Sequence, residues 1–348
     1  MYFRGFDPQF YERVSVRLSN HLRMKFQKRG RVIFLGAATY NNLGDVAISY
    51  AQSEFLEMQL NRRVVIVPDT MLNSFFGKYS RDFRDEDLFI FPGGGNFGSL
   101  YPVIEDERRR SISKIRQTLK HPKILIFPQS INICDEQASE FSRFYRDVIV
   151  VAREKFSYEC AKHVLVQSTV ILSPDIVFSL DGVFGKNVPE TINKIGLIAR
   201  NDKEKLGSSI ISDTHMLLKE TGAALEQFDT VIDSPRMFSV SARKRAIQKI
   251  TSKIMDTDLV ITDRLHGMIL ALITHTPVIA YDNSTKKISG TISSWLLNNK
   301  NVYLVDDNNE VTYDSFVDWY HNLTDLNETQ LVEYKYLITV LKELISES

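Results

Sequence analysis

The sequence predicts an α/β fold in which two Rossmann-like domains with parallel sheets face each other across a cleft. Short runs rich in β-branched residues recur along the chain without alternating polar and apolar residues, which is typical of strands buried on both faces. The segments between these runs are long enough for crossover helices, and strands that alternate with helices indicate an α/β architecture. At 348 residues, the chain is also too long for one typical hydrophobic core.

The predicted strands fall into two sets, separated by a stretch at 180–193 that contains glycine and proline. The first set predicts an N-terminal domain over 1–185, and the second predicts a C-terminal domain over 186–311. The remaining segment, 312–348, looks helical and could fold back across the first domain. Strands are predicted at 31–37, 63–68, 87–95, 123–130, 147–153, 168–175, 194–200, 228–233, 258–263, 277–282 and 301–306, and crossover helices from Asp45 to Leu60, Glu105 to Leu119 and Arg243 to Asp256.

The composition excludes several classes of protein. The 43 basic and 43 acidic side chains give a formal net charge of zero, whereas a dedicated nucleic-acid binder usually carries a basic excess. Cys134 and Cys160 are the two cysteines, so neither a disulfide framework nor a cysteine-based metal site is expected. The start, MYFRGFDPQF, lacks a signal-peptide pattern, and no apolar run approaches the length of a membrane span. We therefore expect a cytoplasmic protein and no resident metal or cofactor.

The N-terminal region has one local bias in charge. Between Arg13 and Arg31 the chain has seven basic residues and no acid, and apolar residues from Val14 to Phe26 recur at helical spacing. This pattern fits a helix on the inner surface of a membrane, in peripheral contact with anionic lipid. The simpler interpretation, which we favour, is a helix that packs on its own domain with its basic face in water.

The first loop of chemical interest, GAATYNNLGDVAI at 36–48, follows the first predicted strand. Ligands of open α/β sheets bind beyond the carboxyl ends of the strands, so polar residues in such loops are candidate contacts. Asp45 begins a predicted helix, where its carboxylate could cap backbone N–H groups. Alternatively, Asn42 and Asp45 could hydrogen-bond the hydroxyls of a bound sugar.

The second loop, FPGGGNFGSLYP at 91–102, contains the spacing G-x-G-x-x-G, which is a weak indication of dinucleotide binding. The supporting context is missing, because no acid ends the next strand at 127–130 and Pro102 delays the helix. We therefore reject a nicotinamide cofactor. Adjacent glycines, including Gly94 and Gly95, instead let a ligand approach the backbone, with Asn96 as a side-chain contact.

The third loop, TDRLHGM at 262–268, joins a buried strand to a helix. The start of a helix offers unpaired N–H groups and the positive end of the helix dipole, which favour an anion. Arg264 adds a bidentate fork for phosphate or carboxylate, and His266 can donate a proton near neutral pH. Gly267 would keep the approach open. The alternatives are structural pairing of Arg264 with Asp263 or Asp282, and a partly buried His266 with its hydrogen bonds satisfied. We favour a functional role.

Charged residues outside these loops are interpreted as solvated surface. Arg108 to Arg110 lie in a predicted helix with Glu105 and Asp106, so we expect them to form a face in water. The segment at 135–147 is likewise predicted to be a surface helix.

Taken together, the three loops resemble those of the polysaccharide pyruvyl transferase family. The matching stretches are NNLGD at 41–45, PGGGNFG at 92–98 and DRLHGM at 263–268, followed by PVIAYDNSTKK at 277–287. The resemblance covers roughly Arg31 to Val305. It implies a GT-B-like fold and the transfer of a pyruvyl group from phosphoenolpyruvate to a sugar, which forms a pyruvate ketal during synthesis of exopolysaccharide or another cell-surface polysaccharide.

The resemblance also implies roles for particular residues. Arg264 and His266 would bind the donor and take part in catalysis, and Arg200 and Arg153 would correspond to further arginines of the family. Phosphoenolpyruvate carries a phosphate and a carboxylate, so its site needs dense positive charge. Lys286 is the lysine expected to add to this charge, with Lys287 as the alternative. Asp45 or Asp263 could deprotonate an acceptor hydroxyl.

Under this interpretation, the first-domain loops face the acceptor through Asn42, Asp45, Gly94, Gly95 and Asn96, whereas the second domain, through Gly267 among others, binds the donor. The acceptor could be lipid-linked, and the sequence does not fix the oligomeric state. A nucleotide-sugar glycosyltransferase with the same architecture is the main alternative, and a non-catalytic assembly partner is another.

Overall fold

The computed structural model describes residues 7–27, 30–182, 191–199, 209–228, 236–282, 285–306, 311–323 and 332–346. They form two parallel β-sheets with helices on both faces, so the predicted fold class is confirmed. The predicted boundary between the domains, at residue 185, lies outside the described residues.

The first sheet is seven-stranded and has the order β2-β1-β3-β5-β6-β7, with β4 paired to β5 beyond the end of β3. Each pairing is parallel, and the central strands are buried on both faces, which explains why their sequences do not alternate. The strands are β1 (Val32–Ala37), β2 (Val65–Pro68), β3 (Leu88–Phe91), β4 (Gly94–Gly98), β5 (Lys123–Asn132), β6 (Ile149–Ala152) and β7 (Thr169–Leu172).

The second sheet is five-stranded, parallel, and has the order β12-β11-β10-β8-β9. Its strands are β8 (Lys194–Ile198), β9 (Ala224–Phe228), β10 (Leu259–Thr262), β11 (Val278–Tyr281) and β12 (Val302–Val305). The strand predicted at 228–233 meets β9 at Phe228, and its other residues lie outside the described ones. The sequence did not predict the rest of β9, 224–227, because β9 is an edge strand that keeps polar residues, which hides it from a search for buried runs.

Twelve helices of the described chain connect and cover the strands. They are α1 (Pro8–Phe26), α2 (Leu43–Leu60), α3 (Leu72–Tyr79), α4 (Pro102–Arg116), α5 (Ala138–Phe144), α6 (Lys155–Val164), α7 (Ser209–Thr221), α8 (Val240–Met255), α9 (Leu265–Ile273), α10 (Lys287–Trp295), α11 (Tyr313–His321) and α12 (Lys335–Ser346). Short 3-10 turns occupy Asp69–Met71, Ser80–Asp82, Asp135–Gln137 and Ile176–Leu180. Within the described ranges, no helix combines the length and the apolar character needed to cross a bilayer.

The two sheets are joined by a shared hydrophobic core. Helix α2 is buried along most of its length and packs against α8, α9 and the turn at Ile176–Leu180. One continuous cluster of buried side chains therefore runs from Phe34 in β1 to Met268 in α9. This packing fixes how the carboxyl ends of the two sheets meet.

The C-terminal segment divides between the two domains. Helix α11 packs on the second sheet through Phe316 and Tyr320, whereas α12 returns to the first domain. Leu337 and Leu341 of α12 are fully buried against α2 and its neighbours, and Lys123 at the start of β5 donates a hydrogen bond to the carbonyl of Leu344 at 2.7 Å. The predicted return of the C-terminal helix to the first domain is thus confirmed.

Helix α1 packs on the protein as expected, but the face that it leaves in water carries a stripe of apolar side chains as well as basic ones. Arg31, which the sequence placed at the end of the basic stretch, is fully buried. Its guanidinium pairs with Asp87, with Nε donating to Oδ1 at 2.9 Å.

Candidate active site

Loops from both sheets meet at one place, where the parallel strands end at their carboxyl edges. Four helices begin there, α2 after β1, α6 after β6, α9 after β10 and α10 after β11. Helix N-termini carry partial positive charge and unpaired N–H groups. The fold therefore concentrates anion-binding capacity at the junction of the domains.

A chain of three charged side chains connects the two domains at this junction. His266, at the start of α9, places Nε2 3.4 Å from Oδ2 of Asp175, which follows β7 in the first domain. Arg153, directly after β6, donates from Nη1 to the same carboxylate at 2.8 Å. Arg153 and Asp175 are almost fully buried, while His266 keeps part of its side chain in contact with solvent. Asp175 thus holds an arginine and a histidine on one carboxylate.

The environment of Asp175 keeps its carboxylate ionised. Burial alone would raise the pKa of Asp175, but His266, followed by Arg153 and the backbone N–H of Val177, lowers it well below its usual value of 3.8. The N–H of Val177 donates to Oδ1 at 3.0 Å, and the hydroxyl of Tyr334, just before α12, donates to the backbone carbonyl of Asp175. A charged Asp175 can therefore orient the imidazole of His266.

Arg153 is held on its other side by two first-domain residues. Its Nε donates to the hydroxyl oxygen of Ser130 at 2.8 Å and lies 3.4 Å from a carboxylate oxygen of Glu154. The indole N–H of Trp295, at the end of α10, donates to the carbonyl of Arg153 at 2.7 Å. These contacts fix the guanidinium at the junction of the domains.

Asp45 lies beside His266 rather than on the opposite side of a cleft. Helix α2 begins at Leu43 and is capped by Asn42, whose side chain accepts from the N–H groups of Gly44 and Asp45. The capping role therefore belongs to Asn42 and not to Asp45. A Cβ atom on Gly44 would collide with Nδ1 of His266, so only glycine allows the imidazole to pack this closely.

The carboxyl group of Asp45 has the opposite behaviour to that of Asp175. Burial raises the pKa of Asp45, and the nearby cations of His266, Arg153 and Lys287 only partly offset this effect. Tyr40 also hydrogen-bonds Asp45. The imidazole of His266 thus has a firmly ionised carboxylate on one side and a carboxyl group that accepts a proton more readily on the other.

The glycine-rich segment is a short strand, β4, rather than the loop that the sequence predicted. Gly94 has φ of +132° and lies beside Asp45 and Asn96. A Cβ atom on Gly95 would lie 3.0 Å from Nζ of Lys287 and 3.3 Å from Nη2 of Arg153. Gly95 therefore leaves the space in which two cations from different domains approach the first-domain backbone.

Asn96 is oriented by a buried ionic network that the sequence did not reveal. Arg108 donates to Oδ1 of Asn96 at 2.6 Å and pairs with the buried carboxylate of Glu105, which also accepts from the hydroxyl of Tyr145. The prediction that Arg108 lies on a solvated face is wrong, because Arg108 is 4% exposed. Arg110 does remain at the surface.

The third loop joins β10 to α9 as predicted, but its residues do not all face the site. Arg264 is the N-cap residue of α9, and the hydroxyl of Thr262 accepts from its backbone N–H at 3.0 Å. The Arg264 side chain is partly exposed, with Nε 3.9 Å from Asp263. Gly267 is buried, and a Cβ there would collide with the side chain of Thr262. Gly267 thus serves close packing of α9 on β10 and does not face the site.

The two lysines near α10 differ in position. Lys286 is the N-cap residue, has φ of 49° and is exposed, whereas the neighbouring Lys287 places Nζ against Gly95. The structure therefore brings Lys287 to the site, whereas the sequence favoured Lys286. Arg200, the remaining predicted donor contact, lies outside the described residues.

Sequence reasoning missed Asp175 altogether. The sequence does contain a pattern that points to Asp175, because this residue follows a buried strand in STVILSPD. The other site residues also follow buried strands. No group of three or more metal-ligating side chains is found among the described residues. The assembled groups provide anion binding through Arg153, Arg264 and Lys287, and proton transfer through His266 and Asp45.

Comparisons with known proteins identify the family of the chain. The sequence model of the family described as polysaccharide pyruvyl transferase matches residues 42–285, which include the second and third loops and the first loop from Asn42 onward. The chain is 29% identical to general stress protein 30 of Bacillus subtilis, over 83% of this chain and 84% of that protein. It is 28% identical to pyruvyl transferase 1 of Schizosaccharomyces pombe, over 76% of this chain and 70% of that protein.

A likeness to a solved structure supports the fold. The crystal structure of an uncharacterised protein from Klebsiella pneumoniae matches with a TM-score of 0.57 at 19% sequence identity, and the match covers 86% of this chain and 100% of that one. At this identity, the likeness bears on the fold alone.

The substitution Asp175→Asn tests whether the charged carboxylate anchors the site. Removing one partner of a buried ion pair leaves Arg153 with less compensation, so we expect a loss of about 3 kcal/mol in the free energy of unfolding at neutral pH. Because the folded-state pKa of Asp175 is lowered, its contribution is complete well above 3.8 and is lost as the pH falls below that value. Urea unfolding of both proteins from pH 7 downward measures this difference.

The matched control is Asp106→Asn, which removes an exposed carboxylate of α4. It should leave stability nearly unchanged at every pH. A penalty for Asp175→Asn that is as small as the control, or that grows toward acid pH, would contradict the assignment.

Proposed function

The chain belongs to the polysaccharide pyruvyl transferase family, and we propose that it transfers a pyruvyl group from phosphoenolpyruvate to a sugar of a polysaccharide or of its precursor, forming a pyruvate ketal. Membership of the family assigns pyruvyl transfer in polysaccharide biosynthesis. The donor and the ketal product are the finer part of the proposal. The observation that carries it is the chain from Arg153 through Asp175 to His266, which places cations and a proton donor together.

The charges at the site fit a donor with two anionic groups. Phosphoenolpyruvate carries a phosphate and a carboxylate, and each needs its own cationic partners. Arg153 and Lys287 lie together against Gly95, and Arg264 lies at the N-terminus of α9 in the second domain. A planar guanidinium suits bidentate binding of either anion, and the helix N-termini add N–H donors. We propose that the donor spans these two groups of cations.

The reaction needs one proton at carbon and the loss of one phosphate. Proton delivery to C3 of phosphoenolpyruvate forms the methyl group and leaves an oxocarbenium-like centre at C2. One sugar hydroxyl attacks C2, the C2–O bond to phosphate breaks, and a second hydroxyl closes the ketal. The two hydroxyls release two protons, of which one replaces the proton given to C3 and the other leaves with phosphate.

His266 is the proposed general acid, and Asp45 the proposed base for an acceptor hydroxyl. Asp175 holds the imidazole of His266 in position, and a proton on this ring can be given to C3. The raised pKa of Asp45 brings its carboxyl group nearer to the pH at which it works as a base. Because Asp45 and His266 are neighbours in the site, a proton that Asp45 takes from the acceptor can return to His266.

The acceptor side of the site is proposed to follow Gly94, Gly95 and Asn96. Arg108 holds Oδ1 of Asn96, which leaves the amide N–H₂ beside Gly94 and Asp45 for a sugar hydroxyl. Asn42 contributes by capping α2 and so positions Asp45. No resident cofactor is part of the proposal, since phosphoenolpyruvate is a co-substrate. Because this donor is a cytoplasmic metabolite, we place the reaction in the cytoplasm, and a lipid-linked acceptor would bring it to the inner face of the membrane.

Donor binding is tested by thermal unfolding with and without phosphoenolpyruvate, in the wild type and in Arg264→Ala. A ligand that prefers the native state stabilises it by about 2.7 kcal/mol at a hundredfold excess over Kd, so we expect a clear rise in Tm for the wild type. The rise should vanish in Arg264→Ala and persist in Arg110→Ala, which removes an exposed arginine. A rise with a nucleotide diphosphate sugar and none with phosphoenolpyruvate would favour glycosyl transfer instead.

The neighbouring lysines give a sharper test of the donor site. Lys287→Ala removes the ammonium group beside Gly95 and Arg153, and we expect phosphoenolpyruvate to bind at least about tenfold more weakly, as when a charge-assisted contact of roughly 1.5–3 kcal/mol is lost. Lys286→Ala, which removes an exposed side chain one residue earlier, should bind nearly as the wild type does. Calorimetric titration measures both, and the reverse order would show that Lys286 faces the donor.

His266→Ala tests proton donation. Phosphate release from phosphoenolpyruvate in the presence of acceptor oligosaccharides should fall by about 10² to 10⁴-fold, the usual contribution of a general acid. Because the cations remain, phosphoenolpyruvate should still raise Tm. The control is His163→Ala, which changes an exposed histidine of α6. Turnover that survives His266→Ala would remove His266 from the mechanism.

A further inference from the structure

Helix α1 exposes most of its apolar side chains and turns several polar ones toward the protein, while Val16 and Met24 are apolar side chains that pack inward. Between 43% and 74% of each exposed apolar side chain is accessible to solvent, and most of these residues recur every three or four positions, which places them along one face. The six residues are Phe10, Tyr11, Val14, Leu18, Leu22 and Phe26. A helix of a water-soluble domain normally has the opposite arrangement, with its apolar stripe on the core.

The inner face of α1 is fixed to the protein by the buried side chain of Met24 together with several polar contacts. Asn20 is buried and donates to the carbonyl of Ile66 in β2 at 2.8 Å. Glu12 accepts from the backbone N–H of Ser239, at the N-cap of α8, at 2.9 Å. The helix is therefore held to both domains in one orientation, and this orientation presents the apolar face outward.

The charges of α1 are predominantly basic. The helix contains four arginine and lysine residues and a single acid, Glu12, whose carboxylate is turned inward to Ser239. Arg17 is exposed next to Leu18, and Lys25 is exposed next to Phe26, where it also pairs with Asp82 at 3.2 Å. The outer surface of α1 thus combines apolar side chains with positive charge.

We propose that α1 docks the protein onto an anionic lipid bilayer, lying in the plane of the interface with its apolar face among the acyl chains. Helices of this kind bind through buried apolar area together with attraction of their basic residues to anionic headgroups. Aromatic residues at both ends of the stripe, Phe10 and Tyr11 at one end and Phe26 at the other, suit the boundary between headgroups and acyl chains. The docking goes beyond the proposed reaction and does not depend on which donor the site binds.

A second copy of the chain is a poorer partner for this face. A helix of 19 residues is ~28 Å long and about 10 Å wide, so it offers roughly 300 Å², whereas a stable interface buries about 800 Å² on each partner. A two-fold contact between two α1 helices would also bring like charges together, because the stripe is flanked by Arg17 and Lys25. A bilayer has neither limitation.

Flotation with vesicles tests the proposal. Vesicles of phosphatidylcholine alone are compared with vesicles of phosphatidylcholine and phosphatidylglycerol, using the full chain. We expect the wild type to float with the anionic vesicles, and the double substitution Leu18→Gln with Leu22→Gln to weaken binding about tenfold or more for each leucine. Arg17→Gln should weaken binding to the anionic vesicles about fivefold, since one basic residue near such a surface contributes roughly 1 kcal/mol.

The matched control is Leu225→Gln with Leu297→Gln, which changes two exposed leucines outside α1 and should leave flotation unchanged. Binding of the α1 double variant at the wild-type level, or no binding of the wild type to anionic vesicles, would overturn the proposal. The proposal would also be overturned if sedimentation velocity showed that the wild type is a dimer and the α1 double variant a monomer, and if the wild type did not bind vesicles. The rise in Tm with phosphoenolpyruvate should be equal in all these variants, so a failure of docking and a failure of donor binding are distinguishable.

Discussion

The arrangement of the whole site depends on one buried carboxylate, Asp175, which holds Arg153 of its own domain and His266 of the other. A buried ion pair is costly to desolvate and persists only where the remaining hydrogen bonds are satisfied. Here Val177 and Tyr334 complete the surroundings of Asp175, and Ser130 completes those of Arg153. Through Tyr334, which precedes α12, the packing of the C-terminal segment on the first domain therefore helps to fix Asp175 and, with it, the imidazole of His266.

This constraint explains features of the sequence that otherwise look unrelated. Gly44 has no side chain because the ring of His266 occupies that space, and Gly95 has none because Lys287 and Arg153 approach it. Both glycines belong to the first domain, and two of the three groups that require them come from the second. Gly44 and Gly95 are therefore required by contacts between the domains. A search for turns or nucleotide-binding motifs would assign these glycines a different role. Within the G-x-G-x-x-G spacing, Gly95 alone faces such a contact, because Cβ atoms on Gly93 and Gly98 would collide with backbone carbonyls of β5 in the same domain.

The sequence reveals those parts of the molecule that depend on local patterns. Buried runs predicted nearly all strands, and the positions of Asp45, Arg264 and His266 followed from the rule that polar residues at strand ends bind ligands. Asp175 obeys the same rule, but nothing local distinguishes it from an ordinary helix-capping acid until Arg153 and His266 are seen around it. The positions of Arg108 and Lys287 were misjudged for the same reason, because the burial and orientation of these side chains depend on contacts with residues distant along the chain. The exposure of the apolar face of α1 was not predicted, because an apolar stripe on a helix normally faces inward.

The two carboxyl groups beside His266 show how one fold can assign different tasks to the same chemical group. Asp175 is buried with Arg153 and His266 beside its carboxylate, so it stays ionised and holds the imidazole in position. Asp45 is desolvated with weaker compensation, so it takes up a proton more easily and suits exchange with a sugar hydroxyl. Environments that separate the pKa values of neighbouring acids are how enzymes divide electrostatic and proton-transfer roles. In this chain, the separation follows from position along the sheet, because Asp175 lies beside Arg153 at the end of β7 whereas Asp45 lies in the first turn of α2. A ketal-forming reaction requires this division, since it moves protons between oxygen and carbon while positive charge develops at the reacting carbon.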